Sequence, residues 1–82
     1  MYTLYILKCN DNSLYTGITN DINKRMLKHS SGLGSKYVRS RLPFKIVYTK
    51  EFNTKSDALK KELEIKSLTR FEKLDLIKNL NS

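Results

Sequence analysis

The sequence lacks a second cysteine and any long apolar run. Because Cys9 stands alone, an intramolecular disulfide and a cysteine-rich zinc motif are both excluded. The most apolar stretch, Leu4 to Leu7, is far too short to span a bilayer. The chain also opens without the basic segment and apolar run of a secretory signal. We therefore expect a cytoplasmic protein with no membrane partner.

Acidic residues are scarce as well. There are 8 Asp and Glu against 16 Lys and Arg, which gives the 82 residues a formal net charge of +8. So large an excess of positive charge indicates a polyanionic partner. Nucleic acid is the leading candidate, because phosphate contacts supply affinity without sequence readout. Charge that serves only solubility, or an anionic membrane surface, is the alternative, and composition favours nucleic acid only modestly.

Several catalytic signatures are also missing from the sequence. There is no HExxH zinc motif and no Walker phosphate loop. There is no cluster of Asp and Glu of the kind with which a nuclease holds two cations. Any hydrolytic chemistry would therefore depend on residues that are dispersed along the chain.

Three segments rich in aromatic and β-branched residues predict β-strands. The first two, Tyr2 to Leu7 and Leu14 to Thr19, are joined by turn-forming residues 9 to 13 and predict a hairpin. The third runs from Phe44 to Thr49. A chain of this length can build one sheet packed against helices but not a second core, so we expect a single domain, 1–82.

Helix-capping residues precede three further segments. The predicted helices run from Asp21 to about residue 31, from Thr54 to about residue 68, and from Thr69 onward. The two later helices open with the Thr-x-x-Asp and Thr-x-x-Glu patterns of a capping box. The element order strand, strand, helix, strand, helix, helix predicts an α+β fold. We expect a three-stranded, mostly antiparallel sheet packed with about three helices.

The segment from residue 32 to residue 43 is predicted to be an irregular, basic loop. A loop of this length inside a small domain is more often functional than accidental. Its Gly32-x-Gly34-Ser35-Lys36 sequence is glycine-rich but falls short of a phosphate-loop signature. A flexible turn that carries a basic residue is the better interpretation.

Arg25 and His29 lie one turn apart on the first predicted helix and share a face. An arginine beside the only histidine of the chain resembles a phosphate-binding group with a proton carrier. An exposed helical pair is the alternative, and the spacing alone favours it. Gly17, near the end of the second strand, marks either a close approach of the backbone to another group or a simple bend.

Glu62 is the most anomalous carboxylate of the sequence. It falls inside the apolar stripe that we predict for the second helix. The apolar members of this predicted stripe are Ala58, Leu59, Leu63 and Ile65. A carboxylate on a buried face is costly unless it is paired or binds a cation. Lys66, four residues on, offers the simple explanation of an ion pair, and a metal ligand is the functional one.

Together these residues resemble the GIY-YIG nuclease domain. The first motif of the family matches Thr3-Leu4-Tyr5, where only the tyrosine is retained, and the second matches Tyr15-Thr16-Gly17. The match continues with Arg25 eight residues later, with His29 one turn further and with Glu62 on a later helix. It covers essentially the whole chain and is most similar to the small stand-alone bacterial branch, which shares the Leu-Tyr-Thr-Gly-Ile-Thr sequence.

The resemblance implies a metal-dependent endonuclease acting on DNA. It implies that Tyr15 is the general base, that Arg25 stabilises charge on the phosphate, and that Glu62 holds one Mg²⁺ or Mn²⁺ ion. His29 would orient the Tyr15 hydroxyl or relay its proton, and Tyr5 would shape the site through its own hydroxyl. A free tyrosine titrates near about 10, so the base needs a favourable environment.

The same resemblance implies contacts with the nucleic-acid backbone. The expected contact residues are Gly17, Lys24, Lys28, Lys36 and Arg39. Some relatives carry a lysine where Ile18 follows Gly17, and one of the three lysines would have to replace its charge. Without an added DNA-binding domain, we expect binding with little sequence choice and strong salt sensitivity.

Two other functions remain open at this stage. The chain could be a DNA- or RNA-binding module that keeps the site residues without useful turnover. It could also be an adaptor that docks on an acidic protein surface. A divalent-cation requirement for cleavage separates the nuclease from the first, and insensitivity of binding to nucleic-acid competitor identifies the second.

Overall fold

The computed structural model describes residues 1–80, in which three strands form one antiparallel sheet. The strands are β1 (Tyr2–Cys9), β2 (Leu14–Thr19) and β3 (Phe44–Phe52), and their order in the sheet is β2-β1-β3. β1 is therefore the central strand, with an antiparallel partner on each side. The predicted sheet is confirmed. Residues 81 and 82, which the predicted domain includes, lie outside the described residues.

Four helices are present in the described part of the chain. They are α1 (Ile22–Ser30), α2 (Lys36–Arg39), α3 (Lys55–Lys66) and α4 (Arg70–Leu80). Three of them confirm predicted helices, whereas α2 lies in the segment that the sequence predicts to be irregular. This turn forms because the Ser35 hydroxyl accepts from two backbone N–H groups and because Val38 is fully buried. Within residues 1–80, none of the helices combines the length and apolarity needed to cross a bilayer.

Side-chain caps start the predicted helices. The Asp21 carboxylate accepts a hydrogen bond of 3.1 Å from a backbone N–H in the first turn of α1. The Thr54 hydroxyl accepts one of 3.2 Å from the Asp57 N–H at the start of α3. Thr69 and Glu72 bond each other's backbone N–H groups, at 2.9 and 3.2 Å, which completes a capping box. Local sequence chemistry therefore determines where these three helices begin.

The alternating side chains of β1 enter two separate apolar layers. Leu4 and Ile6 point to one face of the sheet, where residues of α3 and α4 pack against them. Tyr5, Leu7 and Cys9 point to the opposite face, where residues of α1 and α2 cover them. All five side chains are buried, since the sheet has helices on both sides. The face that carries Tyr5 also carries the predicted site residues of β2 and α1.

The buried face of α3 differs from the predicted stripe. Leu59 is 40% exposed and Leu63 is 68% exposed, so neither belongs to the core. The inward face has the i, i+3, i+4, i+7 spacing of a helix that packs against a sheet. Its members are Ala58, Lys61, Glu62 and Ile65. The prediction was wrong about the two leucines because it combined residues from two sides of the helix, but it placed Glu62 on the correct side.

Candidate active site

Two tyrosines from neighbouring strands form the floor of the candidate site. In the β1–β2 pairing Tyr5 lies opposite Gly17 and Leu7 lies opposite Tyr15, so both tyrosines project from the same face. Their ring centroids are 6.4 Å apart. Tyr5 is only 2% exposed, because it sits on the central strand, whereas Tyr15 on the edge strand is half-buried. The edge position leaves Tyr15 the more accessible of the two rings.

Gly17 explains how the Tyr5 hydroxyl fits against the sheet. A Cβ atom built on Gly17 would lie 2.5 Å from the hydroxyl oxygen of Tyr5 and 2.7 Å from its ring carbon Cζ. Real Cβ atoms do not approach other atoms so closely, so a side chain at this position would displace Tyr5. Of the two explanations that the sequence offered for Gly17, a close approach of the backbone is the one observed.

His29 joins the site from α1. Its side chain is 1% exposed, and its Nε2 atom lies 2.9 Å from the Tyr5 hydroxyl oxygen, which is a buried hydrogen bond. The imidazole also meets the Tyr15 ring edge-on, with ring centroids 5.6 Å apart and an interplanar angle of 72°. His29 therefore contacts both tyrosines, but its hydrogen bond goes to Tyr5.

The second nitrogen of the imidazole constrains its tautomer. Nδ1 of His29 is buried and has no hydrogen-bond partner among the described residues. A proton on Nδ1 would be a buried donor without an acceptor, which is rarer and more costly than an unmet lone pair. The structure thus favours a proton on Nε2, which donates to Tyr5. Gly34 allows the loop to close over the ring, because a Cβ there would lie 2.5 Å from Nδ1.

Burial and neighbouring charge determine the protonation of this pair. Burial first, and the guanidinium of Arg25 second, lower the pKa of His29, so the imidazole is neutral at physiological pH. Burial raises the pKa of Tyr5, and the nearby Tyr15 raises it further. Arg25 acts in the opposite direction on the Tyr5 pKa, and Glu62 again raises it. Tyr5 therefore keeps its proton and serves as a hydrogen-bonding group.

Arg25 adds a positive charge near the Tyr5–His29 pair. It stands one helical turn before His29 on α1 and is half-buried. Within residues 1–80 its guanidinium has no carboxylate within ion-pair distance. Arg25 borders two surface grooves, of about 140 and 370 Å³. The smaller groove is also lined by Thr19, Asn20, Asp21, Lys24 and Lys28, and the larger by Tyr2, Ile18, Thr19, Asn20, Lys55 and Leu59.

Among the described residues, Glu62 is the only carboxylate whose charge affects the pKa of Tyr5. Its side chain is 15% exposed, and one carboxylate oxygen lies 3.7 Å from the Nζ atom of Lys66. At this distance the two groups form an ion pair but not a hydrogen bond. Because Lys66 is 54% exposed, the pair is a weak explanation for a largely buried carboxylate.

The donor set fits a hydrated magnesium or manganese ion. Within residues 1–80 there is no group of three or more His, Cys, Asp or Glu that could enclose a metal. Glu62 nevertheless offers carboxylate oxygens that no hydrogen bond occupies in the described part of the chain. Mg²⁺ keeps several waters and is commonly held by one or two carboxylates together with phosphate oxygens of the substrate. A single carboxylate is therefore compatible with this ion.

The predicted basic residues lie around the site and not inside it. Lys24 and Lys28 are exposed on α1 and line the smaller groove beside Arg25. Lys36 and Arg39 are exposed on α2, the turn that covers the same face of the sheet. The structure thus brings Tyr5, Tyr15, Arg25 and His29 together, and the charge of Glu62 on α3 affects the pKa of Tyr5.

Sequence reasoning missed a second set of residues next to Tyr15. Tyr37 on α2 stacks on the Tyr15 ring, and the Arg41 guanidinium lies over the Tyr37 ring. Asp11, in the β1–β2 turn, forms an ion pair with Arg41. The i, i+4 spacing of Tyr37 and Arg41 would have been a signal, had the segment been recognised as helical. Asp11 lies 30 positions before Arg41, and no local pattern links the two.

This fold and this arrangement of tyrosines, arginine, histidine and glutamate define a class of protein. The family model of the GIY-YIG catalytic domain matches residues 1–75, a range that contains the whole candidate site, so the chain belongs to the GIY-YIG family. It is a nuclease family, whose domain implies nucleic-acid binding and generally uses divalent metal ions.

Within this family the chain is similar to small UPF0213 proteins. Relatives from Staphylococcus epidermidis and Oceanobacillus iheyensis are each 53% identical to it over 74 residues. These matches cover 90% of this chain, and 90% and 86% of the two relatives. The predicted resemblance to the small stand-alone bacterial branch is confirmed.

Two solved structures share the fold. The solution NMR structure of a UPF0213 protein from Bacillus halodurans is 46% identical in sequence, with a TM-score of 0.63 over 95% of this chain and 84% of that one. The solution NMR structure of a protein from E. faecalis is 36% identical, with a TM-score of 0.68 over 98% of this chain and 85% of that one. Both support the predicted α+β fold.

Proposed function

We propose that this protein is a divalent-metal-dependent endonuclease that hydrolyses DNA phosphodiester bonds. The observation that carries the proposal is the gathering of three functional groups around one buried hydroxyl. Tyr15, Arg25 and Glu62 come from three different elements, and all three affect the pKa of Tyr5, whose ring lies 6.4 Å from that of Tyr15 and whose hydroxyl is bonded to His29. A base, a cation for the phosphate and a carboxylate for a metal are what phosphodiester hydrolysis requires.

Tyr15 is the general base in this proposal. In its phenolate form it takes a proton from water as the water oxygen bonds to phosphorus and the ester bond to the leaving oxygen breaks. The alternative base, Tyr5, is unsuitable because burial keeps it protonated. His29 is neutral and is already committed to Tyr5 by its hydrogen bond. Tyr15 is the half-buried member of the group, which supports its contact with water and substrate.

Arg25 would bind and stabilise the scissile phosphate. A guanidinium presents several donors in a geometry that matches phosphate oxygens, and it stays charged at every relevant pH. Its lack of a carboxylate partner within residues 1–80 supports this role, because no internal ion pair competes with the substrate. The groove beside it supplies space for the phosphodiester backbone.

Glu62 would hold one Mg²⁺ or Mn²⁺ ion, together with water and phosphate oxygens. When bound, such an ion supplies positive charge that neutralises the phosphate and the leaving oxygen. The protein's own contribution is a largely buried carboxylate on the inward face of α3, whose charge affects the pKa of Tyr5. Replacing its oxygen by an amide should weaken metal binding without creating a cavity.

Tyr5 and His29 complete the catalytic group as a fixed pair. The Nε2–H of His29 donates to the Tyr5 oxygen, which leaves the Tyr5 O–H free to donate toward the reacting groups. Gly17 belongs to this arrangement, because a side chain there would push the Tyr5 hydroxyl away. Gly17 is itself buried, so it would serve nucleic-acid binding indirectly, as the residue that keeps the Tyr5 hydroxyl in position.

Four exposed basic residues extend the proposed contact surface. They are Lys24, Lys28, Lys36 and Arg39. The two lysines of α1 flank the groove at Arg25, and the residues of α2 lie beyond Tyr15 on the same face of the sheet. Phosphate contacts of this kind give affinity for DNA with little sequence discrimination.

Plasmid and branched-DNA cleavage tests the proposal directly. Purified protein is incubated with Mg²⁺, Mn²⁺ or EDTA, and Glu62→Gln and Tyr15→Phe variants of matched folding are run alongside. We expect metal-dependent nicking that is lost in both variants. If no DNA is cut, and all three proteins bind DNA equally, a non-catalytic DNA- or RNA-binding module becomes the correct function. Cleavage that persists in Glu62→Gln would place the metal elsewhere or indicate a contaminant.

A further inference from the structure

Tyr15 is in contact with an aromatic ring from α2. The Tyr37 ring stacks on it with a centroid separation of 5.8 Å and an interplanar angle of 27°. Such near-parallel stacking is a favourable arrangement of two aromatic rings. Because Ser35 caps α2 and Val38 anchors it in the core, Tyr37 is held at a defined distance from the sheet.

Arg41 lies over the Tyr37 ring. Its guanidinium carbon lies 3.9 Å from the centre of the Tyr37 ring, which is a cation–π contact. The same guanidinium donates to the backbone carbonyl of Tyr37 at 3.0 Å and to the carboxylate of Asp11 at 2.9 Å. A further hydrogen bond of 3.0 Å goes to the Ser40 hydroxyl, so four contacts fix the orientation of Arg41 over the ring.

Asp11 connects this stack to the turn between β1 and β2. Its carboxylate accepts a hydrogen bond of 3.0 Å from the backbone N–H of Ser13, and hydrogen bonds from Ser13 hold its pKa below the usual range. The backbone carbonyl of Arg41 also accepts a hydrogen bond of 2.9 Å from the N–H of Asn10. The segment after α2 is thus joined to the turn that leads into Tyr15.

The Tyr15 ring also contacts the buried Tyr5–His29 pair. The imidazole of His29 meets it edge-on at 5.6 Å, and the Tyr5 ring lies 6.4 Å away. Tyr15 therefore contacts three aromatic rings, those of Tyr5, His29 and Tyr37. These contacts restrict the positions that the Tyr15 ring can take.

We propose that Tyr37 and Arg41, with Asp11 as the anchor of Arg41, form a clamp that positions Tyr15 for the reaction. This inference rests on the proposed nuclease function, in which Tyr15 is the general base. The three residues act through Tyr15 and touch neither substrate nor metal. Correct placement of a reacting group contributes strongly to rate, and a small displacement can cost about a hundredfold.

A different use of Tyr37, as a platform on which a nucleobase stacks, conflicts with its contacts. The ring is already in contact with the Tyr15 ring and with the Arg41 guanidinium. A base could stack there only by displacing a guanidinium that also bonds Asp11 and the Tyr37 carbonyl. Arg41 is likewise committed, so it is not a free phosphate contact in the way that Arg25 is.

NMR spectra of the tyrosine rings test the clamp without a cleavage assay. In protein with isotope-labelled tyrosine rings, the Tyr15 resonances are identified by their loss in Tyr15→Phe. We expect the Tyr15 ring protons to shift when Tyr37→Leu removes the stacked ring, and to shift in the same direction in Arg41→Gln and Asp11→Asn. Tyr37→Phe should keep the wild-type position, because it retains the ring. Arg70→Gln, which removes a distant exposed arginine, is the matched control.

Cleavage kinetics supply the second measurement. Tyr37→Leu and Arg41→Gln should lower kcat about tenfold or more while KM for DNA stays near the wild-type value. Tyr37→Phe should restore kcat, and Arg70→Gln should leave kcat and KM unchanged. A rise in KM with unchanged kcat would make Tyr37 and Arg41 DNA contacts and would overturn the clamp.

The two proposals fail in different ways. Wild-type protein that cuts no DNA with either metal contradicts the nuclease function, and the tyrosine spectra still decide whether the clamp holds Tyr15. Active wild-type protein with unchanged kcat in Tyr37→Leu and Arg41→Gln contradicts the clamp alone. Unchanged Tyr15 resonances in Arg41→Gln and Asp11→Asn would also overturn it, since Arg41 is only half-buried, Asp11 is exposed, and neither belongs to the hydrophobic core.

Discussion

The hydroxyl oxygen of Tyr5 lies 2.9 Å from Nε2 of His29, and neither side chain is more than 2% exposed. Two polar groups are thus buried side by side and hydrogen-bonded to each other. This bond fixes the imidazole next to Tyr15 and keeps the Tyr5 hydroxyl beneath the site. The arrangement leads to predictions about stability, pH dependence, metal binding and DNA binding.

Removing the Tyr5 hydroxyl should destabilise the protein more than its size suggests. In Tyr5→Phe the Nε2–H of His29 loses its acceptor in a buried place, which costs about 1–3 kcal/mol. Denaturant unfolding at neutral pH measures this loss. Tyr48→Phe, at the other buried tyrosine among the described residues, is the matched control. An equal loss in both variants would show that the Tyr5–His29 bond contributes nothing particular.

Acid should destabilise the protein through His29. Its pKa is lowered in the folded state by burial and by Arg25, so the unfolded chain binds a proton more readily. The free energy of unfolding is therefore highest above the unfolded value and falls as the pH drops below about 6.5. Unfolding curves between pH 8 and acid conditions measure the slope. The His29→Gln variant, whatever its absolute stability, should lack this component of the slope.

Substitutions at Glu62 and Lys66 should show whether the buried carboxylate serves an ion pair or a metal site. If the ion pair were its purpose, Lys66→Met would destabilise the protein substantially. Because the pair is 3.7 Å long and Lys66 is exposed, we expect a change of at most about 1 kcal/mol. Glu62→Gln should lose Mn²⁺ binding, measured by calorimetry in the presence of DNA, and should keep a wild-type unfolding midpoint. Retained Mn²⁺ affinity in Glu62→Gln would exclude it as the ligand.

The lysines of α1 should set part of the salt dependence of DNA binding. Each of Lys24→Ala and Lys28→Ala removes a cation beside the groove at Arg25. If each lysine contacts one phosphate, the slope of log affinity against log salt should become shallower by about 0.9. Lys45→Ala on β3 removes the same charge away from this groove and is the control. Equal slopes in all three variants would mean that the net charge, and not this groove, attracts DNA.

Local chemistry accounts for the parts of the fold that could be predicted. Asp21, Thr54 and Thr69 cap helices at the expected residues, because a cap depends only on atoms within one turn. The turn α2 was not predicted. Its cap at Ser35 is local, but a single turn is stable only because Val38 is buried by the rest of the fold.

The inward face of α3 shows a limit of pattern reading. Leu59 and Leu63 are the apolar residues that a sequence pattern selects, yet both are exposed. Lys61 and Glu62 occupy inward positions, which the sheet and not the helix determines. The prediction that Glu62 faces the interior was correct, although the stripe on which it rested was partly wrong.

The sequence by itself determined the order of elements, the positive charge and the spacing of the tyrosine, arginine, histidine and glutamate motifs, which together indicate the family. Only the tertiary structure decided which of these residues contact one another. The hydrogen bond of His29 joins positions 24 residues apart, and Arg41 reaches Asp11 across 30. Contacts of this kind depend on how the sheet and helices pack. The neutral imidazole and the ring contacts of Tyr15 therefore exist only in the folded chain.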